Sequence, residues 1–163
     1  MIKITSVTST TLLQQIESLA DIIWREHYTP IIGKDQVDYM LEKFQSVTAM
    51  HAQIEQGYAY FLVHKNGTAV GYFSIQKRDD TMFLSKLYVL KNYRGQGLGK
   101  ASMDYIHQQA KAMGCNSISL TVNRHNKDTI RAYGALGFEN VGEQIADIGN
   151  GFVMDDYLLK KKL

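Results

Sequence analysis

Hydrophobic and polar positions alternate at the start of the chain, where "IKITSV" reads as a first strand. Helical spacing then takes over, with Leu12, Leu13, Ile16, Leu19, Ala20 and Ile23 on one face behind a cap at Thr10 or Thr11. This helix is expected to end before Pro30. "KDQVDYMLEKF" places Val37, Met40, Leu41 and Phe44 on one face of a second helix, and "SVTAMHAQIEQG" offers a further turn or two, stopped by Gly57. The pattern changes at "YAYFLVH", "TAVGYFSIQ" and "MFLSKLYVL", which are rich in aromatic and β-branched residues and separated by the turn sequences "KNG" and "KRDD"; they predict an antiparallel three-strand meander. A helix over "LGKASMDYIHQQAKAMG" stops at Gly114, "SISLTV" alternates as a strand, and "NKDTIRAYGALG" is a short helix ended by Gly137. "FENVGEQIADI" and "FVMDDYLLKK" close the chain as a hairpin around "GNG". The order β-α-α-β-β-β-α-β-α-β-β predicts an α/β fold of the α+β kind, a mixed sheet with helices packed on it.

Between the meander and the following helix lies "NYRGQGLGKAS", with Gly95, Gly97 and Gly99 flanked by Arg94 and Lys100. Glycines free a loop to expose its N–H groups, and the helix behind adds the positive end of its dipole, so the stretch is suited to a phosphate. It could also be a turn that merely ends a strand. A Walker loop does not fit, because Ala101 replaces the magnesium-binding hydroxyl and Arg94 stands where the first glycine belongs. A dinucleotide fingerprint does not fit either: Lys100 takes the place of the third glycine, and "SISLTV" supplies no acid for a ribose.

What remains is Arg-x-x-Gly-x-Gly on Arg94, Gly97 and Gly99. In this setting it resembles the signature of the GNAT superfamily, the GCN5-related N-acetyltransferases. The match extends through "LYVLKNYRGQGLGK" and "LTVNRHNKDTIRAYGALGF", in order and spacing. The resemblance implies an acetyl-CoA donor whose pyrophosphate rests on the backbone of Gly95, Gln96, Gly97, Leu98, Gly99 and Lys100, with the Arg94 and Lys100 side chains available to it. It further implies main-chain contacts from Leu87, Tyr88 and Val89 along the pantetheine and thioester. Asn126 and Tyr133 lie two helical turns apart and project along nearly one line. Taken alone, they could be a cap and a core aromatic. In the family pattern Asn126 touches the pantetheine arm and Tyr133 sits at the sulfur. A phenol of pKa about 10 protonates a departing thiolate of pKa about 8.5 with little mismatch, which makes Tyr133 the general-acid candidate.

The base is less legible. An amine of pKa about 10.4 is only about one part in a few thousand neutral at pH 7. Many relatives carry a glutamate on the strand before the loop, whereas this chain has Ser85 and Lys86 there. Water relayed from backbone carbonyls, or a carboxylate such as Glu26 or Asp35, stays open. The resemblance places the acceptor between "WREHYTPIIGKD" and "IADIGNGFVMDD", which offer Trp24, Tyr28, Glu26, Asp35, Asp147, Asp155 and Asp156. Glu26, Tyr28, Asp35 and Asp147 are the candidate lining, suited to a cationic amine. Small amines, peptide N-termini, lysine side chains and amino sugars all fit such a pocket.

Composition narrows the classes. The 163 residues are 45% hydrophobic and 21% charged, as expected for one folded domain spanning residues 1–163. A formal charge of +2 argues against nucleic acid or a membrane surface as partner. "MIKITSVTS" lacks a signal-peptide core, and no apolar stretch has membrane-spanning length, so a cytoplasmic protein is expected. The lone Cys115 reads as a packed thiol. His27, His51, His64, His107 and His125 make no metal-ligand spacing, so no metal is expected. Two functions follow: transfer of an acetyl group to a primary amine within a ternary complex, or a non-catalytic acyl-CoA-binding module. A homodimer is compatible with either.

Overall fold

The structure, a computed structural model, describes all residues from Met1 to Leu163. Strand β1 (Ile2–Val7) is followed by helices α1 (Thr10–Ile32), α2 (Lys34–Gln45) and α3 (Val47–Glu55), and then by the meander β2 (Ala59–Lys65), β3 (Thr68–Arg78) and β4 (Thr81–Val89). After one 3-10 turn come α4 (Leu98–Ala112), β5 (Ser117–Asn123), α5 (Lys127–Ala135), β6 (Glu139–Gly149) and β7 (Phe152–Lys162). All seven strands join one mixed sheet in the order β1-β2-β3-β4-β5-β7-β6, with β4–β5 its one parallel pair.

Side-chain alternation along the strands builds a core on each face. Phe61, Val63 and Phe73 join Leu98, Met103, Ile106 and Ala110 of α4 on one side; Tyr60, Leu62 and Tyr72 join Leu13, Ile16, Ile23 and Trp24 of α1 on the other. The expected turns after α2 are a separate helix, because Ser46 breaks the run and caps α3 by accepting from the Ala49 N–H at 3.2 Å.

Two details of α1 differ from the sequence expectation. Its cap is Ser9, which accepts from the Leu12 N–H at 3.2 Å, while the Thr10 hydroxyl pairs with His51 at 3.1 Å. The helix also runs through Pro30 to Ile32. A proline in the last turn removes a single backbone bond, on an exposed side of the helix, and Gly33 closes the end by donating to Thr29 O at 3.0 Å. The turn before Pro30 carries His27 and Tyr28, and the Tyr28 hydroxyl meets that of Tyr88 on β4 at 2.8 Å.

The β3–β4 ladder slips by one residue between Ser74 and Ile75, leaving Ser85 of β4 as the extra residue of a bulge. Before it, Met82 and Leu84 face the α4 core. After it, Leu87 and Val89 do, and Lys86 and Tyr88 turn to the α1 side. Beside this segment a Cβ on Gly71 would stand 2.5 Å from Tyr88 O. Gly71→Ala therefore forces β3 away from β4. We expect a loss of about 1–3 kcal/mol, read as a melting temperature several degrees lower, with no change in far-UV circular dichroism.

Candidate active site

The parallel β4–β5 ladder is short. Thr81, Met82 and Phe83 pair with Ser117, Ile118 and Ser119, and beyond them no pairing continues although both strands run on. The closed end is pinned by Thr81 Oγ1 against Ser117 Oγ at 2.9 Å and by the Asn116 N–H donating to Asp80 O at 2.7 Å. Past Leu84 and Leu120 the strands part, and a cavity opens on either side of the gap. Ser85, Lys86, Tyr88, Thr121, Val122 and Tyr28 line both.

The first is a groove of about 590 Å³ bounded by β4, the glycine loop, the start of α4, and α5. In the loop the backbone takes left-handed φ values of 77° at Gly95 and 83° at Gly97, the latter serving as N-cap of α4. That geometry turns successive N–H groups outward. From Gly95 to Lys100 none donates to a backbone acceptor, and the first that does is Ala101, to Gly97 O at 3.0 Å. A Cβ at Gly95, Gly97 or Gly99 would meet no protein atom within 4 Å. Six unpaired donors at a helix N-terminus over open space fit a diphosphate. Arg94 is held against β4 by its Nε donating to Val89 O at 3.1 Å, while Lys100 pairs with Asp104 at 3.3 Å. Tyr88, Val89, Arg94, Gly95, Gly97, Leu98, Gly99, Lys100, Asn126 and Tyr133 all line the groove, as does Leu87; Gln96 does not, its side chain being bound to Lys65 and Asn92.

Asn126 is 4% exposed, and its carbonyl accepts the first bond of α5 from Ile130 at 3.1 Å. Its side chain does not cap α5, and Asn126 lines the groove together with His27. Burial and the nearby Arg94 charge hold His27 below its usual pKa, so the ring is neutral in the groove wall. Tyr133 packs edge-on against Phe138 with centroids 5.4 Å apart, and its hydroxyl has no hydrogen-bond partner within the protein. Burial raises its pKa, keeping the phenol protonated. Opposite lie Tyr28 and Tyr88, hydroxyl to hydroxyl at 2.8 Å; burial pushes Tyr28 up to about 12, with the Asp156 charge adding to the shift.

The second cavity, about 550 Å³, lies on the α1 side between α1, α2, α3, β4 and β7. Its walls are largely apolar and aromatic, including Trp24, Ile32, Met40, Phe44, Tyr58, Phe83 and Met154. Asp156 is 5% exposed and no donor of the protein satisfies its carboxylate; burial, aided by neighbouring Asp155, raises it to about 6. Lys86 is half-buried, its Nζ donating to Ser85 Oγ at 2.9 Å and lying 5.8 and 5.7 Å from the Tyr58 and Tyr60 ring centroids. Burial brings it down to about 8.

Of the residues the sequence offered for the acceptor side, Tyr28 lies between the cavities, while Glu26, Asp35 and Asp147 are exposed and line neither. Asp147 instead closes the β6–β7 turn by accepting from the Gly149 N–H at 2.8 Å. Asp156 was legible in principle: Phe152, Met154 and Asp156 share one parity on β7, so an inward apolar row ends in an acid. His27 had no such signal, because helix α1 was expected to be ending there.

A splayed parallel pair with unpaired N–H groups at one mouth and a free phenol in the same groove has the form of an acyltransferase site. The sequence pattern of the acetyltransferase (GNAT) family matches residues 16–138, and the chain belongs to that family, whose members transfer an acetyl group to an amine. It is 31% identical over 106 residues to an uncharacterized N-acetyltransferase of Mycobacterium bovis, covering 64% of this chain and 67% of that one. It is 32% identical over 78 residues to the thialysine N-epsilon-acetyltransferase of Bos taurus, covering 47% and 46%. In structure it resembles the PaiA N-acetyltransferase of Thermoplasma acidophilum, solved in complex with coenzyme A. The TM-score is 0.84 at 18% identity, over 100% of this chain and 99% of that one.

Lys86 carries a stability consequence. Its pKa of about 8 lies below the ordinary 10.5, so its burial disfavours the folded state by a constant amount below pH 8; the penalty shrinks as pH rises towards 10.5 and the unfolded amine also loses its proton. Lys86→Met should raise the melting temperature by a few degrees at pH 7, and that gain should fade between pH 8 and pH 10.5, as followed by scanning calorimetry.

Proposed function

We propose that the protein is an N-acetyltransferase that moves the acetyl group of acetyl-CoA to a primary amine by direct attack, with both substrates bound across the β4–β5 gap. The observation that carries this reading is the run of six unpaired N–H groups from Gly95 to Lys100, five of them on residues that line the same groove as the free Tyr133 hydroxyl. When bound, acetyl-CoA supplies a thioester, an acyl group already activated for an amine. The chain's own residues do the rest. The N–H groups of residues 95–100 hold the diphosphate, and the unpaired edge of β4 from Leu87 to Val89 orients the pantetheine. Asn126 anchors the far wall of the groove beside His27.

Tyr133 holds a proton at Oη and gives it to the departing sulfur. Burial, which disfavours the phenolate, keeps that proton on the oxygen until thiolate charge develops beside it. On the other side of the gap, Asp156 is the buried carboxylate of the acceptor cavity and takes the role of orienting the amine and receiving its proton. With a pKa of about 6 it is ionised at pH 7 yet more basic than an ordinary aspartate.

The test is acetyl-CoA-dependent thiol release across a panel of amines. At least one amine should be turned over, and Tyr133→Phe should lower kcat by about a hundredfold while leaving coenzyme A affinity within about twofold, since the ring and its contact with Phe138 remain. Coenzyme A binding with no acceptor in the panel would instead identify an acyl-CoA-binding module, and an unchanged kcat in the variant would remove Tyr133 from proton transfer.

A further inference from the structure

The acceptor cavity contains two opposite charges that do not neutralise one another. Asp156 projects from β7 and is almost wholly buried with no donor from the protein. Lys86 projects from β4, its ammonium bound to the Ser85 hydroxyl and facing two tyrosine rings, with no carboxylate within ion-pair distance. A charge drawn out of water without a counter-charge is costly, and neither the buried Asp156 nor the half-buried Lys86 has one within the protein. The remaining polar groups do not relieve them. Lys43 is already bound to Ile148 O and Tyr39, Gln36 to Val153 O at 2.9 Å, and Gln53 to Phe44 O at 2.9 Å and to Tyr60.

We infer that the acceptor is an amino carboxylate, its primary amine facing Asp156 and its carboxylate facing Lys86, with the carbon skeleton against the apolar wall formed by Trp24, Met40, Phe44, Phe83 and Met154. This rests on the N-acetyltransferase reading above and supplies its substrate class. Several features of the cavity converge on it. Tyr28 and Tyr88, joined hydroxyl to hydroxyl at 2.8 Å, line both cavities, and Asp156 lines the second with them, so the acid shares a wall with the groove where the acyl group would arrive. Lys86 owes its orientation to the Ser85 bulge, which turns it to the α1 side, where it meets the acceptor rather than the core. A polycationic acceptor would meet a like charge at Lys86, which disfavours it. The transfer balances with water as the only proton exchanger: the amine nitrogen forms the C–N bond as the C–S bond breaks, the amine proton goes to Asp156, the sulfur takes the proton of Tyr133, and Asp156 then releases a proton to water while Tyr133 regains one from it.

The decisive comparison uses amino acids and the amines that differ from them only by loss of the carboxylate: phenylalanine against phenethylamine, and lysine against cadaverine. Turnover is followed by thiol release, and binding by the fluorescence of Trp24, the one tryptophan of the chain, which lines the cavity. The amino acid of each pair should be favoured in kcat/KM or in affinity by about thirtyfold, the lower end for one buried charge pair, and Lys86→Met should abolish the preference. Lys86→Glu should reverse it, making cadaverine the better ligand.

If the decarboxylated amines are favoured, or if Lys86→Met leaves the preference unchanged, the inference is overturned while acetyl transfer stands. If the amino acids bind preferentially by Trp24 fluorescence but no amine is ever turned over, acetyl transfer is overturned and the assignment of the cavity stands. If neither member of a pair binds or reacts, the assignment fails.

Discussion

The short parallel ladder between β4 and β5 governs this molecule. Three residue pairs hold the strands together, and the Asp80–Asn116 and Thr81–Ser117 contacts pin the closed end. Past it a continuous sheet becomes two half-sheets with a gap, and both candidate cavities open at that gap. A β-sheet normally satisfies its backbone by pairing, so a strand edge left open inside a protein is an interaction surface waiting for a ligand. The bulge at Ser85 falls where the strands part and reverses which side chains face each cavity.

The two sides of the gap recognise charge by different means. On the α4 side the donors are backbone N–H groups and a helix terminus, partial charges that need no counter-ion and cost little when unoccupied. On the α1 side full charges are buried among aromatic rings, and the surroundings are held rigid by a satisfied polar chain. Trp24 Nε1 donates to the Tyr72 hydroxyl at 3.0 Å, Tyr72 donates to Gln45 at 2.5 Å, and Gln45 donates to the Tyr60 hydroxyl at 3.1 Å. This chain ties α1 and α2 to β2 and β3. It fixes the wall against which an acceptor would lie, whereas Asp156 and Lys86 remain the groups with no protein counter-charge.

The donor half of the site was legible in the sequence because its chemistry lies in contiguous backbone. Glycines at 95, 97 and 99 ahead of a helix dictate a local conformation, and local conformation is what a sequence pattern encodes. Most of the element order followed from periodicity in the same way, with α3 the helix not counted separately. The acceptor half was not legible to that extent. Which carboxylate enters the cavity depends on the parity of β7 against β5, a long-range register that favours Asp156 over its neighbour Asp155, while Asp147 lies on β6 at the far edge of the sheet. Lys86 stood out as an unexpected residue on a hydrophobic strand, but its direction was set by a one-residue slip invisible in the pattern. The proline in α1 misled for a related reason: the rule that ends helices at proline weakens in a last, solvent-facing turn.

The central claim is that the backbone of residues 95–100 is the diphosphate-binding element of a coenzyme A site. The most direct measurement is a titration of isotope-labelled protein with coenzyme A, following backbone amide resonances. The amides of Gly95, Gln96, Gly97, Leu98, Gly99 and Lys100 should move furthest, and downfield, as their N–H groups gain charged acceptors. Saturable binding of coenzyme A that left those six resonances in place while others shifted would contradict the account.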